Sequence, residues 1–355
     1  MNPPPLVYVS RRLGRAPDIS RLLEQGGCAI RPGPPAADPK APTRFTAEEI
    51  TRLFGDVDAI VVGAGELISP EVVAGAPRVK TVCCYYIGTE AIDLDACTAA
   101  GVIVGYGAVP DNYLGVAEAI VMLSTALLKE VPAKHAAMRG GGWGVPDAGR
   151  MVAGSTIGMI GLGNVGRALA RRLAGWDCRL LCHDPYVSPA DAAALSVTLV
   201  DLETLLRSAD IVSVQASLTT ETHHLIGARE LALMRPDAYL VNTARGPLVD
   251  ETALRAALDH GRIAGAGLDV WEEEPTPADN PLRSHPRVIA TGHNIGHPQT
   301  LYDRMVEAAA ENVLRALRDE PPRYVRNPAA LPAWRQRLAA LSSGRTDGCA
   351  TRSAC

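Results

Sequence analysis

The chain has 355 residues, of which 47% are hydrophobic and 21% charged, and its formal net charge is −4. This length exceeds the size at which single hydrophobic cores stop growing, so we expect two domains. The basic residues form no run, which argues against nucleic-acid binding and favours a small solute as partner. No apolar run approaches roughly 18 residues and no secretion signal is evident, so we expect a cytoplasmic protein without a membrane span. Cysteine and histidine spacing predicts no metal site.

Short apolar runs alternate with helical stretches in the first hundred residues, which is typical of a parallel sheet with crossover helices. Strands are predicted at 6–9, 59–62, 79–86 and 102–104, and helices at 46–54, 69–75 and 93–100. The proline-rich stretch 32–42 is predicted to be a surface loop.

A long apolar helix at 113–128 precedes a second series of alternating elements. Its strands, predicted at 156–160, 178–183, 210–214, 239–242, 266–270 and 288–290, indicate a doubly wound α/β domain. A helix is predicted at 300–319. The tail 333–355 is polar at its end, where we expect about the last 15 residues to be disordered.

The strand at 156–160 runs directly into Gly161-Leu-Gly-Asn-Val-Gly166, a G-x-G-x-x-G motif that opens a helix. In this setting Gly161 permits the tight turn, Gly163 lets a pyrophosphate approach the backbone, and Gly166 lets helix and strand pack closely. The amides of Asn164 and Val165 would meet the phosphates at the positive end of the helix. The motif therefore predicts a dinucleotide site.

An acidic residue strengthens this prediction. Asp184 ends the next strand, close to the roughly 20 residues expected between the motif and a ribose-binding carboxylate. Such a carboxylate accepts from the ribose hydroxyls and repels a 2′-phosphate, so NAD is favoured over NADP. The alternative is that Asp184 only forms an Asp-Pro turn.

Three later strand ends carry unusual polar residues: Arg245, the acidic run that finishes at Glu274, and His293. Ligands gather at the carboxyl ends of strands in an open α/β sheet, so the three ends are expected to converge. Reduction of a keto acid needs a proton, which histidine can supply near neutral pH. A neighbouring carboxylate favours the charged imidazole, and arginine can grip a substrate carboxylate. Each residue alone could equally be an ordinary surface charge or loop residue.

With these motifs the sequence resembles the D-2-hydroxyacid dehydrogenase family over roughly residues 80 to 320. The resemblance implies that Arg245 binds substrate, that His293 is the proton carrier and that Glu274 supports it. It also places five further residues at the cofactor and implies a homodimer. Those five are Ala216, Ser217, Thr222, Thr243 and Asp269, the last at the nicotinamide amide.

The chain departs from the family pattern at the substrate. Where the family has a glycine-rich turn whose amides hold the substrate carboxylate, this chain has Tyr86, Ile87 and Gly88, with Tyr86 in place of a glycine. A second histidine, His297, follows His293 and either touches substrate or has no role. Because of these departures the sequence does not identify the substrate, which could be a 2-hydroxy acid or a phosphonate analogue of one.

The resulting prediction is an α/β protein of two doubly wound parallel-sheet domains. A Rossmann NAD-binding domain at 109–297 is inserted in a flavodoxin-like substrate domain at 1–108 and 298–332. The predicted function is an NAD-dependent dehydrogenase that interconverts a small anionic D-2-hydroxy acid and its 2-keto compound. The alternative is an NAD-sensing interaction protein on the same fold, similar to the related transcriptional corepressors.

Overall fold

The computed structural model describes residues 3–11, 19–35, 42–63, 65–143 and 149–350. The chain divides into two compact units, the first made of Met1–Val109 and Pro298–Cys355 and the second of Pro110–His297. The sequence analysis places these divisions after residues 108 and 297.

The first unit is built on five short parallel strands. They are β1 Leu6–Val9, β2 Ala29–Pro32, β3 Ala59–Val62, β4 Thr81–Cys84 and β5 Ile103–Tyr106. Their helices are α1 Ile19–Gln25, α2 Ala47–Phe54, α3 Pro70–Ala74 and α4 Leu94–Ala99. The sheet order β2-β1-β3-β4-β5 is the flavodoxin-like order that the sequence analysis predicts.

The second unit begins with two helices, α5 Pro110–Leu128 and α6 Val131–Arg139. Seven parallel strands follow: β6 Thr156–Ile160, β7 Arg179–His183, β8 Val197–Leu199, β9 Ile211–Val214, β10 Tyr239–Asn242, β11 Gly265–Leu268 and β12 Val288–Ala290. The connecting helices are α7 Asn164–Leu173, α8 Pro189–Ala193, α9 Leu202–Ser208, α10 Ala228–Leu233 and α11 Glu251–Asp259, with 3-10 turns at Gly246–Leu248 and Pro281–Ser284. The order β12-β11-β10-β9-β6-β7-β8 is the Rossmann order extended by one strand, which confirms the predicted fold class.

The chain then returns to the first unit. Helix α12 Gln299–Leu317 packs on β4 and β5, and a 3-10 turn at Pro328–Ala330 leads into helix α13 Leu331–Ala350. Residues 333–350 were expected to belong to a tail. In the structure they are part of helix α13, which is anchored by the buried Trp334. The last five residues and most of the predicted loop at 32–42 lie outside the described residues.

Helix α5 differs from the expectation that no segment is long and apolar enough to span a membrane. Within the part of the chain that the structure describes, it is the one helix long and apolar enough to cross a membrane by length and composition. Asp111 and Glu118 interrupt the apolar residues of this helix, so the sequence has no uninterrupted apolar run of this length. In the structure, α5 packs on α7, β10 and β11, and Ile120 and Leu123 are fully buried in the core.

Candidate active site

The glycine motif forms a tight turn between β6 and α7. Gly161 has a φ of +101°, a left-handed conformation that favours glycine, and a Cβ there would lie 3.1 Å from the backbone of Gln215. A Cβ on Gly166 would lie 2.4 Å from the carbonyl oxygen of Gly161, so this glycine allows α7 to approach the turn. A Cβ on Gly163, the residue before α7, would meet no atom within 4 Å. The turn is thus closed on the sheet side and open in front of the helix.

The first turn of α7 faces this open space with its backbone amides. No side chain caps the helix at Gly163, so the amides of Asn164 and Val165 keep the donor capacity that helix N-termini leave unused. An anion in front of the helix would also be favoured by the helix dipole.

Asp184 lies at the end of β7 and faces the glycine turn. Its Oδ2 atom accepts a hydrogen bond of 2.8 Å from the Leu162 amide, and Oδ1 accepts one of 2.9 Å from the Tyr186 amide. The carboxylate therefore forms the turn that the alternative interpretation proposed. It also places its negative charge next to the glycine motif, so the two interpretations of Asp184 are compatible.

The loop after β9 carries Ala216, Ser217 and Thr222. The hydroxyl of Thr222 donates to the carbonyl oxygen of Ser217 over 2.7 Å, which closes the loop on itself. Beside it, the Oε1 atom of Gln215 and the hydroxyl of Thr243 at the end of β10 are buried and, within the described residues, have no hydrogen-bond partner. Unpartnered buried polar atoms are costly, so a ligand that supplies partners is expected here.

These observations fit a dinucleotide. The open space in front of Gly163, the free amides of α7, the carboxylate of Asp184 and the buried hydroxyl of Thr243 all lie at the carboxyl edge of one sheet. This edge, where the strand order reverses between β6 and β9, is where doubly wound sheets bind ligands.

The three polar strand ends of the second unit are adjacent in space. The backbone at Gly246, next to Arg245, packs so closely on Trp271 that a Cβ would lie 1.9 Å from the Trp271 carbonyl. The amide of Trp271 in turn donates to the Oε1 atom of Glu274 over 3.0 Å. Trp271, which the sequence analysis did not name, therefore connects the arginine strand end with the glutamate.

Glu274 and His293 form a hydrogen-bonded pair. The Nδ1 atom of His293 lies 2.7 Å from the Oε2 atom of Glu274, and both side chains are about 40% exposed. The hydrogen bond to Glu274 raises the pKa of His293 although partial burial opposes the shift. Burial alone would raise the pKa of Glu274, but the hydrogen bond and charge of His293 lower it. Both shifts favour an imidazolium-carboxylate pair near neutral pH.

Arg245 influences both members of this pair. Its positive charge lowers the pKa of His293 and also lowers the pKa of Glu274. Arg245, Glu274 and His293 therefore interact electrostatically, and Glu274 offsets the effect of the arginine on the histidine.

Asp269 organises the loop that carries His293. It is buried, and its Oδ1 atom accepts hydrogen bonds from the Thr291 hydroxyl and from the amides of Asn294 and Ile295, at 2.7 to 3.2 Å. Its carbonyl oxygen accepts from the His293 amide over 2.6 Å. These bonds hold His293 in a left-handed backbone conformation with a φ of +55°, which is uncommon for a residue with a side chain.

His297 follows one turn later, and its amide donates to the carbonyl oxygen of Asn294. Burial lowers the pKa of His297, and the charge of the nearby His293 lowers it further. The two histidines thus have opposite preferences: His293 favours the charged form and His297 the neutral form.

The remaining predicted site residues lie in the first unit, in the loop after β4. Tyr86, Ile87 and Gly88 are half-buried, and the predicted strand 79–86 ends earlier, at Cys84. Among the described residues, the amides of Ile87 and Gly88 donate to no other group. They are two donors at the carboxyl edge of the flavodoxin-like sheet.

The fold and the site define a class of protein, an oxidoreductase built around a dinucleotide-binding Rossmann unit. Residues 121–294 match the family model described as D-isomer specific 2-hydroxyacid dehydrogenase, NAD binding domain.

Named relatives agree with this match. A glyoxylate reductase of Thermofilum pendens is 36% identical over 326 residues, which cover 90% of this chain and 93% of the relative. A D-3-phosphoglycerate dehydrogenase of Mycobacterium tuberculosis is 38% identical over 75% of this chain, which matches half the length of that relative. The crystal structure of a glyoxylate reductase from Paecilomyes thermophila superposes with a TM-score of 0.80 at 26% identity, covering 92% of this chain and 99% of that one.

The chain belongs to the D-isomer specific 2-hydroxyacid dehydrogenase family. It is an NAD-dependent enzyme that acts on the CH–OH group of a 2-hydroxy acid, as the sequence analysis predicts.

Proposed function

We propose that the protein interconverts a small D-2-hydroxy acid and its 2-oxo acid, with His293 as acid and base, Glu274 as its support and Arg245 as substrate ligand. The observation that carries this proposal is the 2.7 Å contact between His293 and Glu274 beside the arginine strand end. Glyoxylate reductases are among the relatives that match nearly the whole chain, so glyoxylate and its close homologues are the first candidates. A phosphonate analogue is a second candidate because it carries the same kind of anionic group.

NAD(H), when bound, supplies the hydride for reduction or accepts it in oxidation. His293 moves the proton. Its Nδ1 atom is engaged with Glu274, so the Nε2 atom is the one that would donate a proton to the substrate carbonyl oxygen during reduction. In oxidation the same atom accepts the hydroxyl proton, which requires the neutral imidazole. General acid-base catalysis of this kind contributes typically ~10²–10⁴ in rate.

Arg245 binds the substrate carboxylate, since a guanidinium offers two parallel donors to a carboxylate. In the first unit, the amides of Ile87 and Gly88, in the loop that also carries Tyr86, are further candidate donors to a substrate anion. His297, neutral near pH 7, acts as a hydrogen-bonding contact to substrate rather than as a second acid. These assignments rest on the strand ends, on the two free amides and on the family resemblance.

The cofactor is assigned to the residues that surround the glycine turn. Gly161, Gly163 and Gly166 shape the turn, the amides of Asn164 and Val165 bind the pyrophosphate, and Asp184 binds the adenosine ribose. Ala216, Ser217, Thr222 and Thr243 would lie around the pyrophosphate and the nicotinamide, and Asp269 would contact the nicotinamide amide. The buried Thr243 hydroxyl, which has no partner among the described residues, supports this placement. The charge of Asp184 favours NAD over NADP.

We also propose a homodimer. Helix α6 has no buried residue, and Met138 on it and Trp143 just after it are 54% and 92% exposed. Large exposed apolar side chains that lie close together are typical of a surface that another protein covers. A second copy of the chain is the occupant that the family resemblance implies.

The test is an NADH-oxidation screen over 2-oxo acids and phosphonate analogues, scored by kcat/KM. His293→Asn should abolish turnover in both directions while NADH still binds, because the proton carrier is lost and the cofactor residues remain. His297→Asn is the matched control and should change KM at most.

Two outcomes would contradict the assignment. Tight NADH binding with no turnover of any compound would favour the NAD-sensing role. A dead His297→Asn variant beside an active His293→Asn variant would exchange the roles of the two histidines.

A further inference from the structure

The loop that presents Glu274 follows β11 and is held by residues outside it. We call residues 271–280 the acidic loop, because it carries three consecutive glutamates. Its first residue, Trp271, is buried, and the indole nitrogen donates to the carbonyl oxygen of Thr291 over 2.8 Å. This contact fixes the start of the loop but not the exposed residues that follow.

Glu251, the first residue of α11, holds the acidic loop at two points. Its Oε1 atom accepts a hydrogen bond of 2.7 Å from the Glu272 amide, near the start of the loop. Its Oε2 atom accepts one of 2.8 Å from the side-chain nitrogen of Asn280, at the end of the loop. Glu274 lies between these two points. One carboxylate therefore ties the loop down on both sides of Glu274.

Both ties are supported by further hydrogen bonds. At the start of the loop, the amide of Glu251 donates back to the Oε1 atom of Glu272 over 3.1 Å. The Nε2 atom of His224, in the loop after β9, lies 2.8 Å from the same oxygen. At the end of the loop, the side-chain oxygen of Asn280 accepts from the Leu282 amide over 3.0 Å, while its nitrogen donates to Glu251.

Helix α11 does not need the carboxylate of Glu251 for its own capping. The side chain of Asp250 caps this helix by accepting from the Ala253 amide over 2.9 Å. An acidic residue in the first turn of a helix is favoured by the helix dipole, but this effect requires no particular partner. Both carboxylate oxygens of Glu251 are instead bonded to the acidic loop.

We propose that Glu251 is a positioning residue of the enzyme, whose carboxylate joins both ends of the acidic loop and so holds Glu274 against His293. The Oε2 atom of Glu274 lies 2.7 Å from the Nδ1 atom of His293, and this contact requires a fixed loop. A misplacement of about 1 Å can cost about 100-fold in rate. The inference rests on the proposed function, in which Glu274 supports His293.

The first experiment measures the reduction of glyoxylate by NADH in two variants. Glu251→Gln keeps the size of the side chain and one acceptor oxygen, so one of the two ties is lost, and Glu251→Ala removes both. The value of kcat should fall from the unmodified protein to the glutamine and then to the alanine variant, by up to about 100-fold. KM for NADH should stay the same, because the cofactor residues are unchanged.

The pH profile of reduction should change in the same variants. The decline of kcat/KM with rising pH should move to lower pH, because His293 loses part of the support that raises its pKa. Glu203→Gln and Glu203→Ala are the matched controls, since Glu203 is an exposed glutamate in the first turn of another helix, α9. They should leave kcat and the profile unchanged.

A second variant separates the position of Glu274 from the effect of charge. Asn280→Asp keeps an acceptor for the Leu282 amide but places a carboxylate opposite Glu251, which releases the end of the loop. A negative charge that acts through space raises the pKa of a histidine, whereas a released loop lowers that of His293. Asn280→Asp should therefore move the profile to lower pH, as Glu251→Gln does.

A double variant tests whether Glu251 acts through Glu274. The charged or titratable groups that act on His293 are Glu274, Asp269, Arg245 and His297. With Glu274→Gln in place, no glutamate remains for Glu251 to position. The profile of Glu251→Gln combined with Glu274→Gln should therefore coincide with that of Glu274→Gln alone, because the two changes act on one contact and are not additive.

A measurement without turnover completes the test. NMR titration of the imidazole signals gives the pKa of His293, whose signal is identified by its absence in His293→Asn. This pKa should fall in Glu251→Gln and in Asn280→Asp but not in Glu203→Gln. Tm values check that each variant is folded, and these two variants carry the test if Glu251→Ala is unstable.

The outcomes separate the two proposals. An unmoved profile and an unchanged pKa of His293 in the folded variants would overturn the positioning role and leave the proposed function intact. A raised pKa in Asn280→Asp, or additive shifts in the double variant, would overturn it as well. No turnover of any acid by the unmodified protein would refute the proposed function, and the titration of His293 would then decide the positioning role by itself.

Discussion

His293 combines an uncommon backbone conformation with a shifted pKa, and the main cause of each is a different residue. Asp269 fixes the loop backbone through its carboxylate and its carbonyl oxygen. Glu274 raises the pKa of the imidazole, against the effects of partial burial and of Arg245. Asp269 thus fixes the backbone at His293, and Glu274 is the main cause of the raised pKa of His293, to which the charge of Asp269 adds.

The first prediction at this scale concerns Glu274. In the proposed mechanism, reduction uses the imidazolium form of His293, whose fraction falls as pH rises through the pKa of His293. Glu274→Gln removes the charge that raises this pKa, so the decline of kcat/KM for reduction should move to lower pH. The pH profile of reduction measures the shift. Glu273→Gln, a change at an exposed neighbouring glutamate, should leave the profile in place. An unmoved profile in Glu274→Gln would remove Glu274 from the mechanism.

The second prediction concerns Asp184. Asp184→Asn keeps an acceptor oxygen for the glycine turn but removes the charge that repels a 2′-phosphate. The ratio of kcat/KM for NADH to that for NADPH should therefore fall sharply, and Asp184→Ser should lower it too. Steady-state kinetics with both cofactors measures the ratio. Equal values for the two cofactors in the unmodified protein would show that Asp184 does not select NAD.

At the scale of elements, helix α13 is held by side chains that bind backbone carbonyls at the amino-terminal end of the first sheet. The indole nitrogen of Trp334 donates to the carbonyl oxygen of Lys80 over 2.8 Å. The guanidinium of Arg337 donates to four carbonyl oxygens, those of Ala76, Pro77, Val79 and Ala100. These carbonyl oxygens lie in turns between elements, outside the hydrogen-bond ladder of the sheet. Arg337 donates hydrogen bonds to all four of them.

The prediction at this scale is that Arg337→Met destabilises the first unit. The variant removes the donors from carbonyls that are partly shielded from water, at a cost of about 1–3 kcal/mol in the free energy of unfolding. Arg335→Met, at an exposed position on the same helix, should change stability by less than about 0.5 kcal/mol. Thermal or urea unfolding measures both. Equal stability of the two variants would mean that α13 is not held by Arg337.

For the whole molecule, the proposed homodimer makes a prediction about mass. Light scattering should give twice the mass of one chain, because α6 and the residues after it expose apolar side chains that a second copy would cover. Met138→Glu combined with Trp143→Glu places charges on this surface and should shift the protein to monomers. Trp176→Glu, at a partly exposed tryptophan elsewhere in the second unit, serves as the control. A monomeric unmodified protein would exclude the dimer.

The sequence analysis did not predict strands β2 and β8 or helix α1, and the reason is physical. Strands β2 and β8 lie at sheet edges, and Val197 is their one buried residue, so neither forms the continuous apolar run that marks a central strand. Helix α1 has only two buried residues in seven. Central strands such as β9 and β10 are fully buried, and the sequence predicts them to within one residue.

The sequence by itself determined the two-domain α/β class, the glycine turn and the three polar strand ends, because glycine spacing and apolar periodicity are local properties of the chain. Only the tertiary structure decided which side chains act on one another. The 2.7 Å contact between Glu274 and His293, which the family resemblance only implied, and the hydrogen bonds from the histidine loop to Asp269 join residues of separate strand ends. Hydrogen bonds and pKa shifts depend on distances of a few ångströms, and residue spacing along the chain does not set such distances between separate strands.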